Sequence, residues 1–210
     1  MGYFYDELFR SLLIKCYEDL LEKPPKTLFY NLKNDSSYVF KSIPVTSKIY
    51  PDIDGYDTGF SEWEGAALYD ALKQQILVGN LSNEYIHIVA LGYNEDNLFL
   101  SIRFHKYPPI ATHILFDFLI PDGISLHISP FSGSIRLTKT DGDEVIEMDS
   151  ACEFEFNEIL EVKIPAKDLS LKNDSIFAFQ ICMILKDNCY ERFPQTSVIR
   201  TSFMDSTLLM

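Results

Sequence analysis

The sequence predicts a mainly β chain, an antiparallel β-sandwich preceded by an N-terminal amphipathic helix. Three observations carry this. Beyond residue 84, apolar and polar residues alternate over short runs, the period of a half-buried strand. Turn residues separate many of these runs, as in Pro121-Asp122-Gly123 and Thr140-Asp141-Gly142-Asp143. Strands do not alternate with helices, so a parallel sheet is not predicted.

The helix spans 5–22. Leu8, Phe9, Leu12, Leu13, Cys16, Tyr17, Leu20 and Leu21 recur in pairs every four residues and make one broad apolar stripe. Pro24-Pro25 stops it, because proline cannot continue a helix. A connector with short edge strands at 38–40 and 43–45 follows, with Asn34 to Ser37 as a turn. Residues 85–104 read as a hairpin around Asn94-Glu95-Asp96-Asn97. Further strands are predicted at 112–119, 124–128, 134–139, 144–148, 152–156, 159–164 and 198–203. Phe177 to Leu185 is nearly all apolar and predicts a central strand buried on both faces. The division is a helical lead over 1–34 and a β-sandwich domain over 35–210.

The 210 residues suffice for one good-sized core. With 18 basic and 31 acidic residues the net charge is −13, which disfavours nucleic acid and anionic membrane as partners. No apolar run is long enough to span a bilayer, and the first residues lack a basic-then-apolar signal, so a cytoplasmic location is expected. Cys16, Cys152, Cys182 and Cys189 form no C-x-x-C pair and read as buried thiols, with Cys182 and Cys189 flanking a hairpin. The sequons at Asn34, Asn80 and Asn173 then carry no glycan.

Candidate functional residues gather at 49–70. Asp54-Gly55 forces a tight turn, and a loop dense in carboxylates and aromatics is where function concentrates. Trp63, with Tyr56, Phe60 and Tyr69 nearby, is a candidate platform for the C–H face of a sugar, with Glu62 and Glu64 to bond hydroxyls. The alternative for Trp63 is a structural anchor. Asp52, Asp54 and Asp57 are candidate calcium ligands, against the alternative of turn-capping aspartates, so calcium is the one cofactor considered. Glu62 and Glu64 as an acid/base pair would make a small enzyme, the least favoured reading. His87, His105, His113 and His127 lie on several strands without metal-ligand spacing, and His87 is expected to face outward or to line the second face. No G-x-S-x-G or P-loop motif is present.

Three stretches, in order, resemble the C-terminal region of glycoside hydrolase family 57 enzymes. Residues 6–29, from Asp6-Glu7-Leu8 to Pro24-Pro25 and Phe29, resemble the last helix and its Pro-Pro exit. Tyr50-Pro51-Asp52-Ile53-Asp54-Gly55 with Glu62-Trp63-Glu64-Gly65-Ala66 resembles the lead-in to the β-sandwich. Leu91-Gly92-Tyr93 with Asn97-Leu98-Phe99-Leu100-Ser101-Ile102 resembles its recurring hairpin. Gln74 to Asn80 departs from the Gly-rich segment that often follows the second motif, and the chain after residue 105 carries no matching motif. The resemblance implies a non-catalytic tail, or a stand-alone relative of it. The family's catalytic carboxylates lie in a barrel that this chain does not contain. It implies an α-glucan or oligosaccharide, or a glycoside hydrolase catalytic domain, as partner. The alternative is a structural or protein-interaction module that docks a separate catalytic partner through the apolar helix 5–22.

Overall fold

A computed structural model describes residues 2–20, 22, 24–29, 44–58, 61–71, 83–195 and 197–204. The elements are helix α1 (Gly2–Asp19) and strands β1 (Ala67–Asp70), β2 (Ile86–Tyr93), β3 (Asn97–Phe104), β4 (His113–Ile120), β5 (Ile124–Ser129), β6 (Ser134–Asp141), β7 (Glu144–Met148), β8 (Glu153–Phe156), β9 (Leu160–Pro165), β10 (Ile176–Leu185), β11 (Asn188–Phe193) and β12 (Ile199–Ser202). They form two antiparallel sheets. The first has five strands, in the order β1-β2-β3-β9-β8. The second has seven, in the order β11-β10-β4-β5-β6-β7, with β12 also paired to β10.

The alternation seen in the sequence becomes the interface between the sheets. Val89, Leu91, Tyr93, Leu98, Leu100 and Ile102 point inward from the β2–β3 hairpin. Phe116, Phe118, Leu126, Phe177, Phe179 and Ile181 meet them from the second sheet. Asn94 sets the hairpin register, since its Oδ1 accepts the N–H of Asp96 at 3.0 Å and of Asn97 at 2.9 Å. A bulge at His87 adds one residue to β2 and leaves that side chain half-buried beside Arg103 and His105.

β10 is buried on both faces from Phe177 to Met183, as its run of apolar residues predicts. Two short strands share one of its edges. β12 pairs residues 176–179 and β11 pairs residues 181–185. Gln180 sits at the junction, and its buried Oε1 has no hydrogen-bond partner among the described residues.

Three expectations are corrected. First, the helix runs over Gly2–Asp19 rather than 5–22, and among its described side chains Ile14 and Arg10 dock it. Ile14 packs on Leu119 of β4 with Leu28 and Val198, and Arg10 donates to the carbonyl of Leu28 at 3.2 Å. Phe9, Leu12, Cys16 and Leu20 are left exposed. The stripe is wider than the contact surface, so one helix cannot bury all of it. Burial of Ile14 is worth about 2 kcal/mol. Second, Pro44 and Val45 are irregular chain, not strand; residues 34–43, including the strand expected at 38–40, lie outside the described residues. Third, β1 and β11 form although neither was read as a strand. Cys182 and Cys189 do lie on the β10–β11 hairpin, and the four cysteines are free thiols, of which Cys16 is exposed rather than buried.

Candidate functional site

Residues 48–58 and 61–66 run as a strap along the outer face of the first sheet. Ile49, Trp63 and Ala66 pack on Ala90 and Phe99, the outward residues of β2 and β3. Gly92 permits this approach, since a Cβ there would sit 2.3 Å from Cδ1 of Ile49. Lys48 and Tyr50 both donate to the Glu95 carboxylate, at 2.6 and 3.0 Å, and tie the strap to the β2–β3 turn. Those donors, Lys48 first, hold Glu95 down to a pKa of about 2.

The strap is centred on a buried carboxylate, Glu161 of β9. One oxygen accepts the N–H of Asp54 at 3.0 Å and of Gly55 at 2.9 Å. The other accepts Nε1 of Trp63 at 3.0 Å. Burial pushes the Glu161 carboxyl above its usual range, against the lowering effect of these donors. Gly55 has φ +75° and lies so close to the 155–157 turn that a Cβ would be 2.7 Å from the amide of Asn157. Its carbonyl accepts from Glu158 and Ile159, and Asn157 Nδ2 donates to the Asp54 carbonyl.

The predicted site residues fall into three groups. Trp63 is 5% exposed and Tyr69 lies in the main core, so neither ring offers a face to a ligand. Trp63 is the anchor of the strap, and its sequence position between two glutamates gave no sign of a third. Tyr56 and Glu64 are exposed. Phe60 lies outside the described residues. The remaining carboxylates are engaged locally. Glu62 accepts the Asp52 N–H at 2.8 Å and the Thr58 hydroxyl. Asp54 caps its own turn by accepting the Tyr56 N–H at 2.9 Å. Asp57 forms a bidentate pair with Arg103, at 2.8 and 2.9 Å, and this pair holds the guanidinium above its ordinary pKa. Of the candidate calcium ligands, the Asp54 and Asp57 carboxylates therefore face separate partners, Asp52 enters this set only through its N–H, and a cation at Asp57 would have to displace Arg103. Among the described residues no group of three metal-ligating side chains comes together.

The histidines are likewise dispersed. His87 stacks on His105 with centroids 4.0 Å apart. Burial, then the neighbouring His105, lowers the His87 pKa. His113 bonds Ser129 at 2.6 Å and His127 bonds Thr138 at 3.2 Å. A cleft of about 300 Å³ lies against β6 and β7, lined by Arg136, Glu147, Asp149, Ser150 and Cys152 among others. Burial raises the Cys152 thiol to about 11, which makes it a poor nucleophile.

Sequence reasoning missed an aromatic cluster at one end of the sandwich. β3 and β8 both run antiparallel to β9, so Phe104 and Phe156 end at the same side. The His105–Thr112 connection and the β5–β6 turn lie at that side too. Phe156 is the hub. Its ring centroid is 5.4 Å from Tyr107, 5.4 Å from Phe131 and 5.9 Å from Phe104. Tyr107 is 58% and Phe131 39% exposed. The signal was present as aromatics in turn sequences, Lys106-Tyr107-Pro108-Pro109 and Pro130-Phe131-Ser132-Gly133, where polar residues are the norm.

No family model matches the chain, and no curated protein matches it. Solved structures of a carbohydrate binding module family 9 from Caldicellulosiruptor kristjanssonii are distantly similar. The complex with glucose is 12% identical, with 66% of this chain and 75% of that chain covered at a TM-score of 0.36. The complex with cellotriose is 14% identical, with 70% and 78% covered at a TM-score of 0.34. At such distances nothing of what those modules bind transfers to this chain.

Proposed function

We propose that this chain is a non-catalytic β-sandwich module that serves a carbohydrate-active assembly, holding α-glucan-type carbohydrate or the catalytic domain that acts on it. One observation carries the non-catalytic reading: the carboxylates of the strap are engaged in holding the strap. Glycoside hydrolysis by a carboxyl pair needs both groups free to reach opposite sides of one bond. Glu62 is occupied by Asp52 and Thr58, Asp57 by Arg103, and Glu161 by three donors beneath the loop. Glu64 and Asp52 are the exposed carboxylates of the strap outside these pairings and the Asp54 turn cap, and neither is held opposite a second carboxyl by any of the bonds described. The glucan side of the reading is supported by the three ordered motifs that resemble family 57 tails.

The test is affinity electrophoresis of the full chain in gels containing glycogen or soluble starch, with reducing ends assayed in parallel. Retardation without release of reducing ends is expected. Reducing-end release that Glu64→Gln abolishes would overturn the reading. A second reading, docking of a protein partner through helix 5–22, is favoured by the exposure of Phe9, Leu12 and Leu20. Co-sedimentation with a family 57 catalytic domain lacking its own tail separates the two. Binding lost in a Phe9→Ser/Leu12→Ser variant would favour docking.

A further inference from the structure

We infer that the aromatic end built by Tyr107, Phe131 and Phe156 is a binding site for a neutral pyranose ring. This rests on the carbohydrate reading above and moves its site from the buried Trp63 to the end of the sandwich where β3 and β8 finish.

Four features favour such a ligand. First, Tyr107 and Phe131 each pack against Phe156, so two exposed rings are held around one half-buried hub. Sugars offer flat C–H faces, and ring stacking suits them. Second, the rings are held in place before a ligand arrives. Tyr107 precedes Pro108-Pro109, Pro108 is buried, and the loop is closed by the Thr112 N–H to the Pro109 carbonyl at 2.8 Å and by Thr112 to the Tyr190 hydroxyl at 2.8 Å. Little side-chain freedom is then lost on binding. Third, the neighbouring segment is polar and acidic. Glu158 is exposed two residues after Phe156, and Asp57, already paired with Arg103, is bonded to it through its N–H at 3.4 Å. Carboxylates accept from sugar hydroxyls and repel anions, and the chain's net charge of −13 acts in the same sense.

Size is the fourth. Two half-exposed aromatic rings present on the order of 200 Å². A stable protein partner covers about 800 Å² per side. Even with the exposed Ile110 of the same loop, the patch suits a sugar ring better than a folded protein.

The experiment is calorimetric titration of the full chain with maltotriose, cellotriose, trigalacturonate and a proline-rich decapeptide. A neutral trisaccharide is expected to bind at least tenfold more tightly than trigalacturonate. Tyr107→Ala and Phe131→Ala should each weaken it at least tenfold, with Tyr107→Phe retaining most of the affinity. Unchanged blue-shifted Trp63 emission certifies that each variant is folded. Trisaccharide binding that both alanine variants keep would overturn the site and leave the carbohydrate reading standing. Absence of binding by any trisaccharide would overturn both. Peptide binding lost in Tyr107→Ala would reassign the end to extended peptides and overturn the sugar.

Discussion

Two buried glutamates do similar work in different sheets, and they differ in what they hold. Glu161 of β9 catches a loop and an indole on the outer face of its own sheet. Glu191 of β11 catches the approach to β2, a strand of the other sheet. Its oxygens accept the N–H groups of Glu84, Tyr85 and Ile86 at 2.8, 2.9 and 2.7 Å, and Nδ2 of Asn83 at 3.2 Å. Glu161 fastens a strap to a finished sheet, whereas Glu191 joins the two sheets. A buried carboxylate serves here as an acceptor for a neighbouring segment of chain. It satisfies backbone donors that have no strand to pair with, and it does so more effectively than a neutral acceptor.

The comparison predicts unequal damage. Glu191→Ala leaves three backbone donors and an amide without their acceptor, each costing about 1–3 kcal/mol when buried. A loss of roughly 4 kcal/mol in urea unfolding is expected, the largest effect of any single change considered. A loss under 1 kcal/mol would mean that the sheets are joined by their core alone.

Glu161→Gln should cost less, about 2–3 kcal/mol, because the amide keeps one acceptor and turns an NH₂ toward donors. It also has two signatures of its own. Trp63 emission should shift to the red as the strap loosens. The second signature is a pH dependence. Because the folded carboxyl is raised above its unfolded value, its contribution is full below the ordinary carboxylate pKa of about 4.3 and is lost as pH rises through the folded value. The stability gap between wild type and Glu161→Gln should therefore widen as pH falls from 7 to about 4. A gap that narrows over this range would show that the donors outweigh burial.

The smallest effect is expected for Asp57→Asn. Its pair with Arg103 is bidentate but partly exposed, so solvent screening limits the loss to about 0.5–1 kcal/mol. The change should be halved again in 1 M salt, while the Glu191 effect should not move. Salt sensitivity in both would erase the distinction between surface and buried carboxylates.

These differences also mark what was legible in the sequence. The strands from 85 to 185 were readable almost to the residue, because a two-residue period and Asn or Gly turns are local facts. β1 was not, because Ala67-Leu68-Tyr69-Asp70 is short and follows the Gly65 turn, and its pairing with β2 is decided twenty residues away. The strap was readable as a shaped loop, and Asp54 as a turn former. Its purpose was not, since Asp54 and Gly55 find Glu161 more than a hundred residues later. The helix was readable as amphipathic, but not which of its residues dock. Apolar periodicity tells which residues can be buried, and Ile14 with Leu119 tells which are.

The two short strands on one edge of β10 give the second sheet a seam at Gln180. β12 can open and expose the outer amides of 176–179 while β11 still covers 181–185. Hydrogen exchange should then divide one continuous strand into a fast half and a slow half. β12 becomes a separately releasable latch on a sheet whose register β4 and β11 continue to hold.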